Sequence, residues 1–193
     1  ASGRQPATAS LHPENAGIAV NERGAIVVDK RLHTTADNIW AMGDVTGGLQ
    51  FTYISLDDYR IVRDELLGEG KRSTDDRKNV PYSVFMTPPL SRVGMTEEQA
   101  RESGADIQVV TLPVAAIPRA RVMNDTRGVL KAIVDNKTQR MLGASLLCVD
   151  SHEMINIVKM VMDAGLPYSI LRDQIFTHPS MSESLNDLLS LVK

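Results

Sequence analysis

The stretch GVLKAIVDNKTQRMLGASLLCV, residues 128–149, decides the fold class. Its two apolar ends, Gly128 to Val134 and Met141 to Val149, have the length and composition of β-strands. The polar Asp135-Asn136-Lys137-Thr138 between them is typical of a hairpin turn. A further strand is expected at Ile107 to Val114. The sequence therefore predicts an antiparallel hairpin that belongs to a larger sheet.

Helical patterns surround this hairpin. Ser151 to Ala164 predicts a helix that ends at Gly165, with apolar residues on more than one face, so it needs cover on two sides. A protein interface is one way to supply that cover. Thr96 and Gln99 resemble a capping box for a short helix, and a final helix is expected after Pro179. Strands and helices together indicate an α+β fold.

The first third of the chain has a different pattern. Extended runs are expected around Ile18 to Val28 and at Ile39 to Met42, and a helix from Tyr53 to about Leu67, with Thr52 as its N-cap. Lys71 to Asn79 is charged and contains no hydrophobic residue, which is typical of a linker. We place a domain boundary near residue 75, which gives domains of 1–75 and 76–193.

Composition excludes several classes of protein. The 193 residues carry a formal net charge of −3, and 42% are hydrophobic. No block of Lys and Arg indicates a nucleic-acid partner, and no run of about 18 apolar residues indicates a membrane span. The polar start, Ala1 to Ser10, is not the pattern of a signal peptide. One cysteine cannot form an internal disulfide, and a reducing compartment such as the cytoplasm is the simplest setting.

Asp44 is the first candidate site residue. The apolar run Ile39 to Met42 delivers Gly43 and then this carboxylate, and ligands of α/β folds bind at such strand ends. Gly43 allows a ligand to approach the backbone closely, and the side chain of Asp44 can accept hydrogen bonds from hydroxyl groups. The alternative is that Asp44 only starts a turn.

His178 and Glu183 form the second candidate. Pro179 keeps the residue before it out of the helical region. Glu183, five residues on, can fold back onto one imidazole nitrogen, which fixes the tautomer and orients the other nitrogen for acid–base chemistry. The alternative is an exposed histidine that only caps the final helix. Cys148 and His152 could also form a metal site, but a buried structural role for Cys148 is the stronger interpretation.

These motifs, in this order, resemble the C-terminal part of the pyridine nucleotide-disulfide oxidoreductases, and the match runs through nearly the whole chain. The segment Ala1 to Pro6 is similar to the end of the family's NAD(P)H domain. Thr34 to Val45 resembles its second flavin motif, and Val80 to Thr96 the opening of its dimerisation domain. Gln50 to Tyr53 resembles the mercuric-reductase branch. Overall, the chain resembles the bacterial flavoprotein reductases associated with resistance to reactive chlorine species.

The resemblance implies a dimerisation domain of the glutathione-reductase type, an antiparallel sheet flanked by helices, preceded by a partial FAD-domain segment. It implies a homodimer that uses FAD, takes electrons from NAD(P)H and passes them through a redox-active dithiol to a small molecule or metal ion. His178 and Glu183 would be the catalytic pair, acting across the dimer interface. The implied cofactor-binding residues are Gly43, Asp44, Phe51, Thr52 and Tyr53, with no metal ligands.

The chain departs from the family in what it lacks. It contains no GxGxxG motif and no CxxxxC redox pair, and Cys148 lies in a predicted strand. We therefore expect a C-terminal fragment of a longer enzyme that folds and dimerises without catalysing. The alternative is a stand-alone dimerisation or regulatory module that never carries flavin. Asp57, Asp58 and Tyr59 occupy positions where many relatives have small residues.

Overall fold

A computed structural model describes residues 3–193, so the first two residues of the segment Ala1 to Pro6 lie outside the described residues. The chain divides into two compact units. The first ends at Arg77, and the second comprises Lys78–Lys193.

The first unit contains one long helix, α1 (Thr52–Leu67). Phe51 occupies the N-cap position without a side-chain cap, so the prediction of Thr52 as N-cap is wrong by one residue. The extended runs expected before α1 form only the isolated bridges Val20 to Ile26 and His33 to Trp40. Pairing at the second bridge cannot extend because the backbone turns to positive φ close by, for example 60° at Asn38.

The charged segment before the unit boundary is not a free linker. Ser73 and Asp76 form a capping box around a short 3-10 helix, Thr74–Asp76, which satisfies backbone donors at its start. The side chain of Arg77 then pairs with Asp57 of α1. The segment expected to be a linker is therefore bound to the helix that precedes it.

The second unit is built on a five-stranded sheet in the order β1-β2-β5-β4-β3, in which all neighbouring strands run antiparallel. The hairpin of β4 and β5 forms as predicted, with Leu130 opposite Leu146 and a register shift between Ile133 and Val134. The strands are β1 (Tyr82–Val84), β2 (Leu90–Gly94), β3 (Ile107–Pro113), β4 (Val129–Asp135) and β5 (Met141–Leu147).

Five helices accompany the sheet: α2 (Glu97–Glu102), α3 (Pro118–Val122), α4 (Ser151–Asp163), α5 (Ser169–Arg172) and α6 (Ser184–Leu189). The capping box predicted from Thr96 and Gln99 is present at the start of α2. The final helix begins only at Ser184, because the chain after Pro179 first passes through a turn. Sheet and helices confirm the α+β fold class.

Helices α4 and α6 supply the core that the sheet needs. Helix α4 lies against β2 and β5, and α6 against β3 and β4. The apolar residues of α4 face this core on one side only: Met160, on the other side, is 63% exposed. The buried apolar residues of the two helices are Met154, Ile155, Val158, Val161, Leu185, Leu188 and Leu189. Burying a large aliphatic side chain contributes about 1.5–3 kcal/mol, so this layer anchors the second unit.

No helix in residues 3–193 combines the length and the apolar character that crossing a membrane requires.

Candidate functional site

The turn of Gly43 and Asp44 lies in the first unit, directly after the apolar run that ends at Met42. Residues Gly43–Thr46 form one 3-10 turn. Gly43 has a φ of 77°, and a Cβ there would lie 3.0 Å from Ser55 Oγ, so the position favours glycine. Thr46 Oγ1 donates a hydrogen bond to the carbonyl of Gly43 at 2.9 Å. The turn is therefore held by its own side chains.

The carboxylate of Asp44 is left available by this arrangement. Its side chain is 48% exposed, and its nearest charged partner is Arg4 Nη1 at 3.7 Å. An exposed pair at that distance contributes little. Among the described residues, Asp44 thus presents two acceptor oxygens that can receive hydrogen bonds from a polyhydroxylated ligand.

Phe51, Thr52 and Tyr53 lie where helix α1 starts, and α1 packs against the turn of Gly43 and Asp44. All three side chains are exposed, Tyr53 by 68%. Arg60, two turns into the helix, places its guanidinium 5.5 Å from the centre of the Tyr53 ring. The structure therefore brings the five residues predicted to bind a cofactor into one region of the first unit.

Asp58 and Arg77, which sequence reasoning missed, also belong to this region. Asp58 of α1 is 2% exposed; its Oδ2 accepts a hydrogen bond from the backbone N–H of Gly43 at 2.7 Å. Its Oδ1 accepts from Arg77 Nη2. The sequence signal was the pair Asp57-Asp58 on a helix followed by an arginine-bearing charged segment, but the spacing alone did not identify the partners.

His178 and Glu183 meet in the second unit. His178 Nδ1 lies 2.9 Å from Glu183 Oε2, which is hydrogen-bond distance. The imidazole is 72% exposed whereas the carboxylate is 16% exposed. The peptide bond between His178 and Pro179 is cis. In the described part of the chain, His178 Nε2 has no hydrogen-bond partner, so it is available for proton exchange.

Glu183 is held in place by its neighbours on and before α6. Its backbone N–H donates to Ser180 Oγ at 3.2 Å, and its Oε1 is buried without a hydrogen-bond partner among residues 3–193. Asn186 Nδ2 donates to the carbonyl of Leu171 at 2.6 Å, which ties the chain before His178 to α6. The backbone at Glu183 is therefore tied to its neighbours, and the histidine that its carboxylate contacts faces outward.

Cys148 takes no part in either group. The thiol is buried next to Met154, with 3.8 Å between the two sulfur atoms. Burial, with smaller contributions from Asp150 and Asp125, raises the pKa of Cys148 to about 12. Within residues 3–193, no group of three or more His, Cys, Asp and Glu side chains is arranged to hold a metal ion.

Two family models match the chain. The model described as the pyridine nucleotide-disulphide oxidoreductase dimerisation domain matches residues 80–189, more than half of the chain. The model described as pyridine nucleotide-disulphide oxidoreductase matches residues 1–58. The fold class and the family expected from the sequence are confirmed.

Curated relatives and solved structures agree with these models. The mercuric reductase of Staphylococcus aureus is 36% identical over 96% of this chain and 34% of its own length. The dihydrolipoyl dehydrogenase of Bacillus subtilis is 32% identical over 94% of this chain and 38% of its own. The Cu(II) complex of the HOCl-induced flavoprotein disulfide reductase RclA from Escherichia coli is 99% identical, with a TM-score of 0.99 over 100% of this chain and 45% of that one. The chain spans about a third of the length of the curated relatives it matches.

Proposed function

The chain belongs to the pyridine nucleotide-disulfide oxidoreductase family, and we propose that it is the C-terminal part of an FAD-dependent NAD(P)H oxidoreductase. Residues 1–75 would be the last piece of the FAD-binding domain and residues 76–193 the dimerisation domain. The observation that carries the proposal is the oriented pair of His178 and Glu183, separated by 2.9 Å. An outward-facing imidazole oriented by a largely buried carboxylate is suited to acid–base catalysis.

The residues of the first unit fit a flavin cofactor. Asp44 offers a half-exposed carboxylate without a close partner, which matches the hydroxyl groups of a ribityl chain. The positive φ of Gly43 and its lack of a side chain let the backbone of this turn pack closely against Ser55 of α1. Phe51, Thr52 and Tyr53 would line the approach to this turn. Bound FAD would supply the ring that accepts hydride from NAD(P)H.

The role that we assign to His178 is proton transfer at a thiol. Glu183 accepts the Nδ1–H hydrogen bond, so the proton that moves is carried on Nε2. In one direction Nε2 removes a proton from a thiol to generate the thiolate, and in the other it returns that proton. The buried carboxylate keeps the imidazole in one orientation throughout. Because Cys148 is buried and not acidic, we propose that the thiol pair lies outside these residues.

Exposed apolar side chains of the second unit support a homodimer. Phe85 is 78% exposed and Ile175, three residues before His178, is 93% exposed. Both residues lie in the segment that matches the family's dimerisation domain, so they are candidates for a surface that a partner covers. We propose that a second copy covers them and that His178 acts on the thiols of that copy. The final acceptor would be a disulfide or a metal ion, and the reducing cytoplasm the compartment in which the thiols remain active.

The half-reactions of the complete flavoprotein test this proposal. In stopped-flow experiments, His178→Ala should leave flavin reduction by NAD(P)H within about twofold of wild type. It should slow the thiol-dependent step about 100-fold or more, the usual contribution of general acid–base catalysis. His12→Ala is the matched control, because His12 is another exposed histidine paired with a carboxylate, Glu14. Equal losses in both half-reactions would contradict the proposed role.

A further inference from the structure

We propose that Asp58, held by Arg77, is a positioning residue that sets the conformation of the turn presenting Asp44 to its ligand. The inference rests on the proposed function, because it concerns the same flavin-binding carboxylate. It adds that the geometry of the turn depends on a buried ion pair within the first unit. The pair joins the turn to helix α1 and to Arg77, the last residue of that unit.

Both carboxylate oxygens of Asp58 accept hydrogen bonds, one from a peptide N–H and the other from a guanidinium group. Oδ2 accepts from the peptide N–H of Gly43 at 2.7 Å, and Oδ1 accepts from Arg77 Nη2. With 2% of Asp58 exposed, water cannot replace either donor, and a buried carboxylate without partners is strongly unfavourable. Each carboxylate oxygen therefore has its own donor, with Oδ2 bound to the turn and Oδ1 bound to the arginine.

The contact to Gly43 acts directly on the residue that precedes Asp44. The N–H of Gly43 is held by Asp58, and its carbonyl accepts from Thr46 Oγ1 at 2.9 Å. The next turn of chain is closed by Gly47, whose N–H donates to the carbonyl of Asp44 at 3.1 Å. The backbone on both sides of the Asp44 carboxylate is thus fixed, while the carboxylate itself stays outside the network.

Asp57 provides the comparison that isolates this role. It pairs with the same arginine, since its Oδ2 accepts from Arg77 Nε at 2.7 Å. Its Oδ1 accepts from Arg72 Nη2 at 2.9 Å. Asp57 has no hydrogen bond to Gly43. Removing its charge disturbs the arginines but leaves the turn's own hydrogen bond in place.

Substitution by asparagine is expected to have different effects at positions 58 and 57. A carboxylate offers two acceptor oxygens, whereas an amide offers one acceptor and one NH₂ donor. At position 58 the two donors are the Gly43 N–H and Arg77, so one of them loses its partner in Asp58→Asn. At position 57 both donors belong to arginine side chains that remain partly exposed, so Asp57→Asn costs the turn nothing.

The test measures FAD affinity in the complete flavoprotein for Asp58→Asn, Asp58→Ala, Asp57→Asn and Asp44→Ala. FAD titrated into the apoprotein is followed by flavin fluorescence, the visible spectrum of the bound flavin is recorded, and circular dichroism checks folding. Loss of a hydrogen bond to a charged group corresponds to about a 10-fold change or more. We expect at least that loss of affinity and a shifted flavin spectrum in Asp58→Asn, with Asp57→Asn within about twofold of wild type.

The other outcomes overturn the inference, and they show whether the proposed function fails with it. Wild-type affinity in the folded Asp58→Asn protein, together with flavin loss in Asp44→Ala, overturns the inference and leaves the proposed function standing. Equal losses in Asp57→Asn and Asp58→Asn also overturn it, since they show a general effect on the fold. Wild-type affinity in Asp44→Ala overturns the proposed flavin contact and the inference with it. If Asp58→Ala does not fold, Asp58→Asn gives the answer, since it preserves the size of the side chain.

Discussion

His178 Nδ1 lies 2.9 Å from Glu183 Oε2, and the two side chains differ sharply in exposure, 72% against 16%. This asymmetry gives each residue a distinct task. The buried carboxylate fixes the orientation of the ring, and the exposed ring meets whatever approaches from outside the unit.

Glu183→Gln should slow the thiol-dependent half-reaction about 10-fold, less than His178→Ala. The amide can still contact Nδ1, but it does not stabilise the protonated imidazole as a carboxylate does. The measurement is the pH profile of that half-reaction by stopped flow, and the profile should shift in Glu183→Gln. Glu14→Gln, which changes the partner of His12 in the same way, should leave rate and profile unchanged. An unshifted profile in Glu183→Gln would show that the carboxylate does not act through His178.

The core beneath this pair should be sensitive to truncation. Leu188 of α6 is fully buried, and Leu188→Ala should destabilise the chain by about 2–5 kcal/mol, the usual cost of removing a buried leucine side chain. Leu191→Ala, three residues later at a 46% exposed position, should change stability by about 0.5 kcal/mol or less. Urea unfolding of the two variants checks the difference. Similar midpoints for both would mean that α6 does not pack as described.

Cys148 should be unreactive in the folded chain. Burial raises its pKa to about 12, and only the thiolate reacts readily with thiol reagents. A chromogenic disulfide reagent at neutral pH should therefore label the native chain slowly and the urea-unfolded chain rapidly. Cys148→Ser, which should show no labelling in either state, is the control. Rapid labelling of the native chain would contradict the burial of this thiol.

Acid should weaken the first unit through Asp57. Burial favours the neutral form of this carboxyl, but hydrogen bonds from Arg77 and Arg72 outweigh it and hold its pKa below the ordinary value of 3.8. The stability that it contributes is fully present above that value and is lost as the pH falls through the lower pKa of the folded state. Unfolding measured between about pH 5 and pH 2 should lose stability less steeply in Asp57→Asn than in wild type. Identical slopes would contradict the ion pair.

The parts of the fold that were predictable from sequence are those set by local pattern. The hairpin at 128–149 follows from two apolar runs and a polar turn, and the capping box of Thr96 and Gln99 spans only three residues. The contact between His178 and Glu183 could also be predicted, because the two residues are only five positions apart with a turn between them. In each case the interacting groups are close in sequence.

The remainder depends on partners that are distant in sequence. Strand β2, which was not predicted, is a short run that becomes a strand by pairing with β5; its paired residues are 49 (Gly94 with Gly143) to 57 (Leu90 with Leu147) positions apart. The network of Asp58, Gly43 and Arg77 joins three segments at separations of 15 and 19 residues. No periodicity in the sequence specifies such contacts, so the charged segment before residue 78 was interpreted as a linker.

The claim that His178 serves the partner subunit is tested most directly by hybrid dimers of the complete flavoprotein. One subunit carries His178→Ala, and the other lacks its redox cysteine pair, so each parent homodimer is inactive. If His178 acts across the interface, the hybrid has one complete site of two, and it should recover about half of the wild-type activity per dimer. A purified hybrid as inactive as both parents would place His178 and its thiols in the same subunit and contradict the account.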